Sequence, residues 1–282
     1  MKRSVTKIIP AAETTLPGEF VVRRALPRRE LRRVGGFVFL DHFDENNVTP
    51  EMFDVPPHPH IGLQTVTYLF EGEALHRDSL DNECVISAGD INWMTAGRGI
   101  THSEQVSATQ RRMHGLQIWV GLPHAHRKTP PAFDHFPAAD IPVIKLDNAT
   151  VKVIAGEAFG QRSPIPTFQE LFYLDVSANI GANITIDVDP THELCIYVCE
   201  GAVNIGYDIE RFDLASLSSG ETIEIVAKSE ARFVILGGEP LPDPTVIYWN
   251  FIADTMDEAK QAMLDWESGK FPPVGLYRKI IE

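Results

Sequence analysis

The sequence predicts an all-β fold: two antiparallel, jelly-roll-like β-barrels packed face to face, with one short helix near the end. Three observations predict it. Short runs alternating apolar and polar residues recur between Gly, Pro, Asn and Asp. Two short motifs return later in the same order, and helical spacing behind a cap occurs once.

The runs include Gln64–Phe70, Leu116–Val120, Val151–Ala155, Asn183–Val188 and Arg232–Leu236. Each is rich in β-branched or aromatic residues, and period two sends alternate side chains to one face, as in half-buried antiparallel strands. The repeat matches Tyr68-Leu69-Phe70-Glu71-Gly72-Glu73 with Tyr197-Val198-Cys199-Glu200-Gly201-Ala202 at an offset of 129. It also matches Ser87-Ala88-Gly89-Asp90-Ile91 with Ser218-Ser219-Gly220-Glu221-Thr222 at 131. Ordered matches at nearly equal offsets indicate two related units. The Pro-rich stretch His124–Pro142 is the expected crossover, giving domains 1–135 and 136–282. In the second, Thr255 and Glu258 form a capping box, Ala259, Ala262, Met263 and Trp266 fall at helical spacing, and Gly269 closes a helix near 255–268.

Composition narrows the function classes. At 282 residues with 44% hydrophobic and 23% charged, the chain has material for a real core. It lacks the ~18 consecutive apolar residues of a membrane span, and no secretory apolar region follows Met1-Lys2-Arg3, so a cytoplasmic, membrane-free protein is expected. The net charge is −14, yet residues 1–33 carry nine Lys or Arg against three Glu. The remaining body is strongly acidic and repels phosphate backbones, which argues against direct nucleic-acid binding. The cluster Arg23, Arg24, Arg28, Arg29, Arg32 and Arg33 fits either an acidic partner or a neutralising contact within the chain. Three cysteines, Cys84, Cys195 and Cys199, fit a reducing compartment, with the last pair about 13 Å apart along a strand and too far to bridge. The acidic body and capped helix suggest a monomer.

Two segments offer metal-competent side chains at i, i+2: His58-Pro59-His60, expected to open the strand through Tyr68, and His102-Ser103-Glu104, after the turn Ala96-Gly97-Arg98-Gly99. In a strand such residues share a face about 6.6–7 Å apart, so each pair aims both groups at one side. Three imidazoles and a carboxylate would leave two octahedral positions of a divalent ion for water, substrate or dioxygen. Residue types alone leave ordinary hydrogen bonding equally open. His124-Ala125-His126 has the same spacing in a Pro-rich loop and is expected to be solvated surface, while His42, His76, His114, His135 and His192 are expected to be hydrogen-bonders.

Pro57–Gly72, with His58-Pro59-His60, and Gly89–Glu104, with Trp93-Met94-Thr95-Ala96-Gly97-Arg98-Gly99, resemble the two signature blocks of the pirin family within the cupin superfamily. Leu116–Val120, His192–Leu194 and the end from Gly238 to Phe271 resemble pirin segments too. The resemblance implies a bicupin whose N-terminal barrel binds one metal, usually Fe(II), through positions matching His58, His60, His102 and Glu104. Such a donor set also accepts Cu, Ni, Co, Mn or Zn, with supply deciding. Two positions depart from the pattern: Gln64 stands where a Glu is common, and Gly121 where an Asn is usual. Shifting the four positions by the repeat offsets reaches Asp187, Asp189, Phe233 and Ile235, so the second barrel is expected to be metal-free, with both aspartates at turns or the surface.

The activity some pirins show is dioxygenation of a flavonol such as quercetin, opening the ring with O2 and releasing CO. Glu104 is then the expected proton acceptor as well as a ligand. Arg98 either stabilises developing charge or braces the Gly-rich turn. The rival expectation is a metal- or redox-sensing binding protein that regulates a transcription factor or a metabolic enzyme, as pirins have been linked to do.

Overall fold

The computed structural model describes residues 1–106, 111–242 and 245–279. Antiparallel strands form two compact units: Glu13–Val22 with Asp41–Ala138 and Leu241–Glu282, and Met1–Ala12 with Arg23–Leu40 and Ala139–Pro240. The chain passes between the long segments at Ala138–Ala139, within the Pro-rich stretch, and the shorter segments are shared out in a way no single cut describes.

The first unit contains β1 (Asp54–His60), β2 (Leu63–Glu71), β3 (Glu73–Asp78), β4 (Glu83–Ser87), β5 (Ile91–Thr95), β6 (Ile100–Gln105), β7 (Arg112–Gly121) and β8 (Ala132–Phe136). One sheet has the order β1-β6-β3-β4, and the other runs β8-β5-β2-β7 and on through Phe37–Asn46, Val21–Leu26 and Ala12–Thr15. Alternating apolar side chains, among them Phe20, Phe43, Phe53, Leu69, Ile86 and Met113, form its core. The ring of Phe20 lies 5.0 Å from that of Phe53 and 5.8 Å from that of Phe43, at tilted and edge-on angles suited to aromatic packing.

The position of β1 follows from its prolines. Pro56, Pro57 and Pro59 cannot donate to a ladder, and β1 lies at the edge of its sheet, where that loss is tolerated. The structure corrects one expectation here: the His58/His60 pair ends β1 and does not open the strand through Tyr68. Gly62 breaks the two apart at φ +69°, where an added Cβ would lie 2.0 Å from the Ile252 carbonyl oxygen. Only glycine fits this turn, which sends β2 into the other sheet.

The helix α1 (Met256–Glu267) starts where the capping box places it. Thr255 Oγ1 accepts from the Glu258 amide at 3.2 Å, and the Glu258 carboxylate accepts from the Asp254 amide at 3.1 Å. Ala259 and Ala262 are buried, and Gly269 follows at φ +71°.

The second unit contains β9 (Asn183–Asp187), β10 (Glu193–Glu200), β11 (Ala202–Asn204), β12 (Asp208–Glu210), β13 (Asp213–Leu217), β14 (Thr222–Ala227) and β15 (Ala231–Gly238). Its sheet orders, β9-β14-β11-β12 and a run containing β13-β10-β15, reproduce β1-β6-β3-β4 and β5-β2-β7. The repeat is therefore real at the level of topology, but the sequence offsets misassign one strand. The counterpart of β6 is β14, whereas Phe233 and Ile235 lie on β15, the counterpart of β7. The Gly220 turn resembles the Gly89 turn locally yet precedes a different strand. On β9 and β14 the buried residues are Ile184, Ile186, Ile223, Ile225 and Ala227, with Ile184 opposite Ile225 and Ile186 opposite Ile223. Isoleucines thus fill the strands that correspond to the two His-bearing ones, and they have no donor atom. Asp187 and Asp189 are exposed.

Cys195 and Cys199 are buried and unbridged, and burial pushes the Cys195 thiol up to about 12. Arg23 lies 5.1 Å over the ring of Phe212 and Arg24 4.7 Å over that of Phe39, so part of the basic cluster is used inside this unit.

Candidate metal centre

Strand register assembles the site. β6 lies between β1 and β3, which places His102 directly opposite His58 on one side and Asp78 on the other. Against β1 the register shifts at a bulge between His102 and Glu104, whereas against β3 it runs unbroken and sets Glu104 opposite His76. Opposed residues of an antiparallel pair project to the same face, so the imidazoles converge. The turn leading into β6 fixes their height: Gly97 has φ +52°, and a Cβ there would lie 2.1 Å from the Thr129 carbonyl oxygen.

One ring nitrogen from each of His58, His60 and His102 lies within 4.8 Å of the others. The rings of His58 and His102 are 4.3 Å apart, and His60 is 5.0 Å from each. Nδ1 of His58 is 2.9 Å from the Pro56 carbonyl oxygen, and Nδ1 of His60 is 3.2 Å from that of Asn250. A carbonyl only accepts, so both Nδ1 atoms carry the proton, and in a neutral imidazole Nε2 is left with a bare lone pair. Burial keeps these rings neutral: it lowers His58 to about 4, and with neighbouring imidazoles it holds His60 and His102 well below the usual histidine range.

His60 Nε2 lies 3.1 Å from His102 Nε2, and Trp119 packs edge-on against His60 at 5.1 Å. Neutral imidazoles with lone pairs gathered in one small volume suit a divalent cation, so the residues fit a metal. Glu104 is not within that 4.8 Å group. Its Oε1 is 3.2 Å from the Thr67 hydroxyl, which also reaches Gln117 Oε1 at 2.9 Å. Burial raises the Glu104 carboxyl above the ordinary range, opposed by His76 and the Thr67 hydrogen bond.

The other candidates lie elsewhere. His124 is exposed and paired with Asp254 at 2.7 Å, and His126 is outside the metal-competent group. His42 and His114 are buried and stacked, their Nε2 atoms 2.9 Å apart. Gln64 is buried and donates to Thr95 Oγ1 at 2.9 Å, while Gly121 ends β7 opposite Leu63. Arg98 is exposed, and its amide ties the turn to the Thr129 carbonyl at 3.0 Å. Glu170, Asp189 and His192 gather in the second unit, but Asp189 Oδ1 is already bonded to the Thr191 amide and hydroxyl. Sequence reasoning missed the pairing of His76 with Asp78, 3.0 Å apart and buried, although His76-Arg77-Asp78 has the same i, i+2 spacing as the two candidate pairs.

Two jelly-roll-like repeats, one lined by clustered imidazoles and the other by isoleucine, define a bicupin. The sequence matches the Pirin family model over residues 19–120 and that of the pirin C-terminal cupin domain over 173–272. A pirin-like protein of Caulobacter vibrioides is 39% identical over 261 residues, covering 90% of each chain. A crystal structure of quercetin 2,3-dioxygenase from Acinetobacter baumannii superposes with a TM-score of 0.92 at 33% identity, over 98% of this chain and 93% of that one. A bacterial pirin from Escherichia coli, crystallised with nickel(II), shares the fold at a TM-score of 0.67 and 18% identity, over 83% of this chain and all of the other. The chain belongs to the pirin family.

Proposed function

We propose that this protein is a metal-dependent dioxygenase that opens the ring of a flavonol such as quercetin with O2 and releases CO. The observation that carries the reading is the convergence of three neutral imidazoles, with the half-buried Glu104 carboxyl, its proton affinity raised, two residues from His102 on the same strand. The likeness to quercetin 2,3-dioxygenase structures supports it. His58, His60 and His102 hold the ion, with Glu104 as the fourth donor and Fe(II) as the native metal. A divalent ion there supplies Lewis acidity and open coordination positions.

The rest is done by the chain. Glu104 takes the proton of the flavonol hydroxyl, a transfer favoured by the same burial that raises its affinity. Thr67 orients that carboxylate by donating its one hydroxyl proton to Oε1, for which Gln117 Oε1 is the competing acceptor. The hydroxyl so deprotonated becomes an electron-rich enolate, the form that dioxygen attacks. We place this activity in a reducing cytosol, on the strength of three unbridged cysteines. The partner-binding alternative draws little support from the basic cluster, because Arg23 and Arg24 already lie over rings.

The test is oxygen uptake and CO release with quercetin by protein loaded in turn with Fe, Cu, Ni, Co and Mn. Turnover that scales with bound metal is expected. Stoichiometric metal without turnover by any of the five refutes the enzyme reading and favours the binding protein.

A further inference from the structure

We infer that Asp78 and His76 form a buried relay that sets the tautomer and orientation of His102, making Asp78 and His76 positioning residues for the metal. The inference rests on the metal-centre reading above and concerns residues outside the proposed ligand set. It starts at Asp78, which is fully buried and whose Oδ1 accepts from the amides of Leu80 and Asn82 and from Asn82 Nδ2. Its other oxygen, Oδ2, lies 3.0 Å from His76 Nε2. Burial alone would raise this carboxyl, but the bonds from His76, Asn82 and Leu80 outweigh it and keep it ionised.

A carboxylate accepts and does not donate, so His76 carries a proton on Nε2, and as a neutral ring it presents a bare Nδ1. That Nδ1 lies 3.4 Å from His102 Nδ1, which must then be the donor of the pair. His102 is left with its lone pair on Nε2, the nitrogen 3.1 Å from His60 Nε2. The opposite tautomer would let His102 and His60 bond to each other and close the site, at the cost of facing a bare His76 Nε2 to a buried anion. Stacking of His76 on Phe133, with centroids 4.2 Å apart and planes 9° from parallel, holds the relay in line. Strand register supplies the frame: Asp78 stands opposite His102, and His76 opposite Glu104. His58 and His60 are oriented by backbone carbonyls, and His102 alone of the three depends on side chains for this.

The test uses the full chain in its metal-free form and Ni(II) as probe. Nitrogen-15 spectra of the histidine rings should show His102 protonated at Nδ1, a readout that needs no variant to fold. Calorimetric titration should give His76→Leu an affinity about 10–100-fold below wild type. His76→Gln, whose amide oxygen can accept from Nδ1, should recover most of that loss together with the Nδ1–H signal. Protonation of wild-type His102 at Nε2, wild-type affinity in His76→Leu, or a Gln variant as weak as the Leu one overturns the relay. A wild-type chain that takes up no Ni(II) overturns the metal centre itself, and the relay with it.

Discussion

The metal-free form of this protein should be unusually sensitive to acid, and His58 gives the scale. Its pKa falls from the ordinary 6.5 to about 4 because folding buries the ring. An unfolded chain therefore takes up a proton on this residue below pH 6.5, while the folded one resists until about pH 4. Stability contributed by the neutral ring is complete above the unfolded value and is lost as pH falls between the two. At ~1.4 kcal/mol per pKa unit the loss is about 3 kcal/mol, a large share of a stability typically of ~5–15 kcal/mol. His60 and His102 shift in the same direction and add to it. The assay is urea denaturation of metal-free protein at intervals from pH 7 to pH 4, wild type beside His58→Gln. Distant groups titrate alike in both proteins, so their difference reports His58 together with its coupling to His60 and His102. The wild type should lose about 3 kcal/mol more than the variant across this window. Curves that stay parallel would show that folding imposes no such cost on His58, and the account of a buried, neutral imidazole cluster would fail.

Two further predictions concern the ligands. Glu104→Gln keeps size and one carbonyl oxygen but loses the charge, so metal should bind more weakly yet still load at high concentration. Turnover per bound ion should fall by about 10²–10⁴-fold if the carboxylate also takes the proton, and unchanged turnover per ion would leave it a ligand only. His60→Ala should cut Ni(II) affinity by more than the ~10–100-fold of an outer-sphere change, while His126→Ala leaves it unaltered. Equal losses, read by titration, would mean the wrong histidine pair was assigned.

Much of this was written locally. Period-two alternation marked the strands, because side chains on a pleated chain must alternate between core and water. Thr255, Glu258 and Gly269 marked the helix, because caps satisfy backbone groups within a few residues. His58, His60 and His102 were legible as candidate donors because i, i+2 spacing fixes the face within a strand without reference to anything distant. Shifting β6 by the offset of the Gly89 and Gly220 turns landed on β15, because similar turns report local backbone shape and not which strand follows in the topology.

The sequence by itself determined that the chain is a two-barrel β protein with a histidine-rich centre in one barrel, since pattern, repeat and motif are properties of neighbouring residues. Only the tertiary structure decided that β1 ends at His60 against a glycine turn, that 23–40 belongs with 139–240, and that His102 stands opposite Asp78 with His76 behind it. Those facts depend on register and on approaches between segments far apart in the chain, such as the Ile252 carbonyl that excludes a side chain at position 62. A short window of sequence holds no term for such distances. The identity of each neighbour across the sheet, and with it the proton on each imidazole, is settled only when the strands pair.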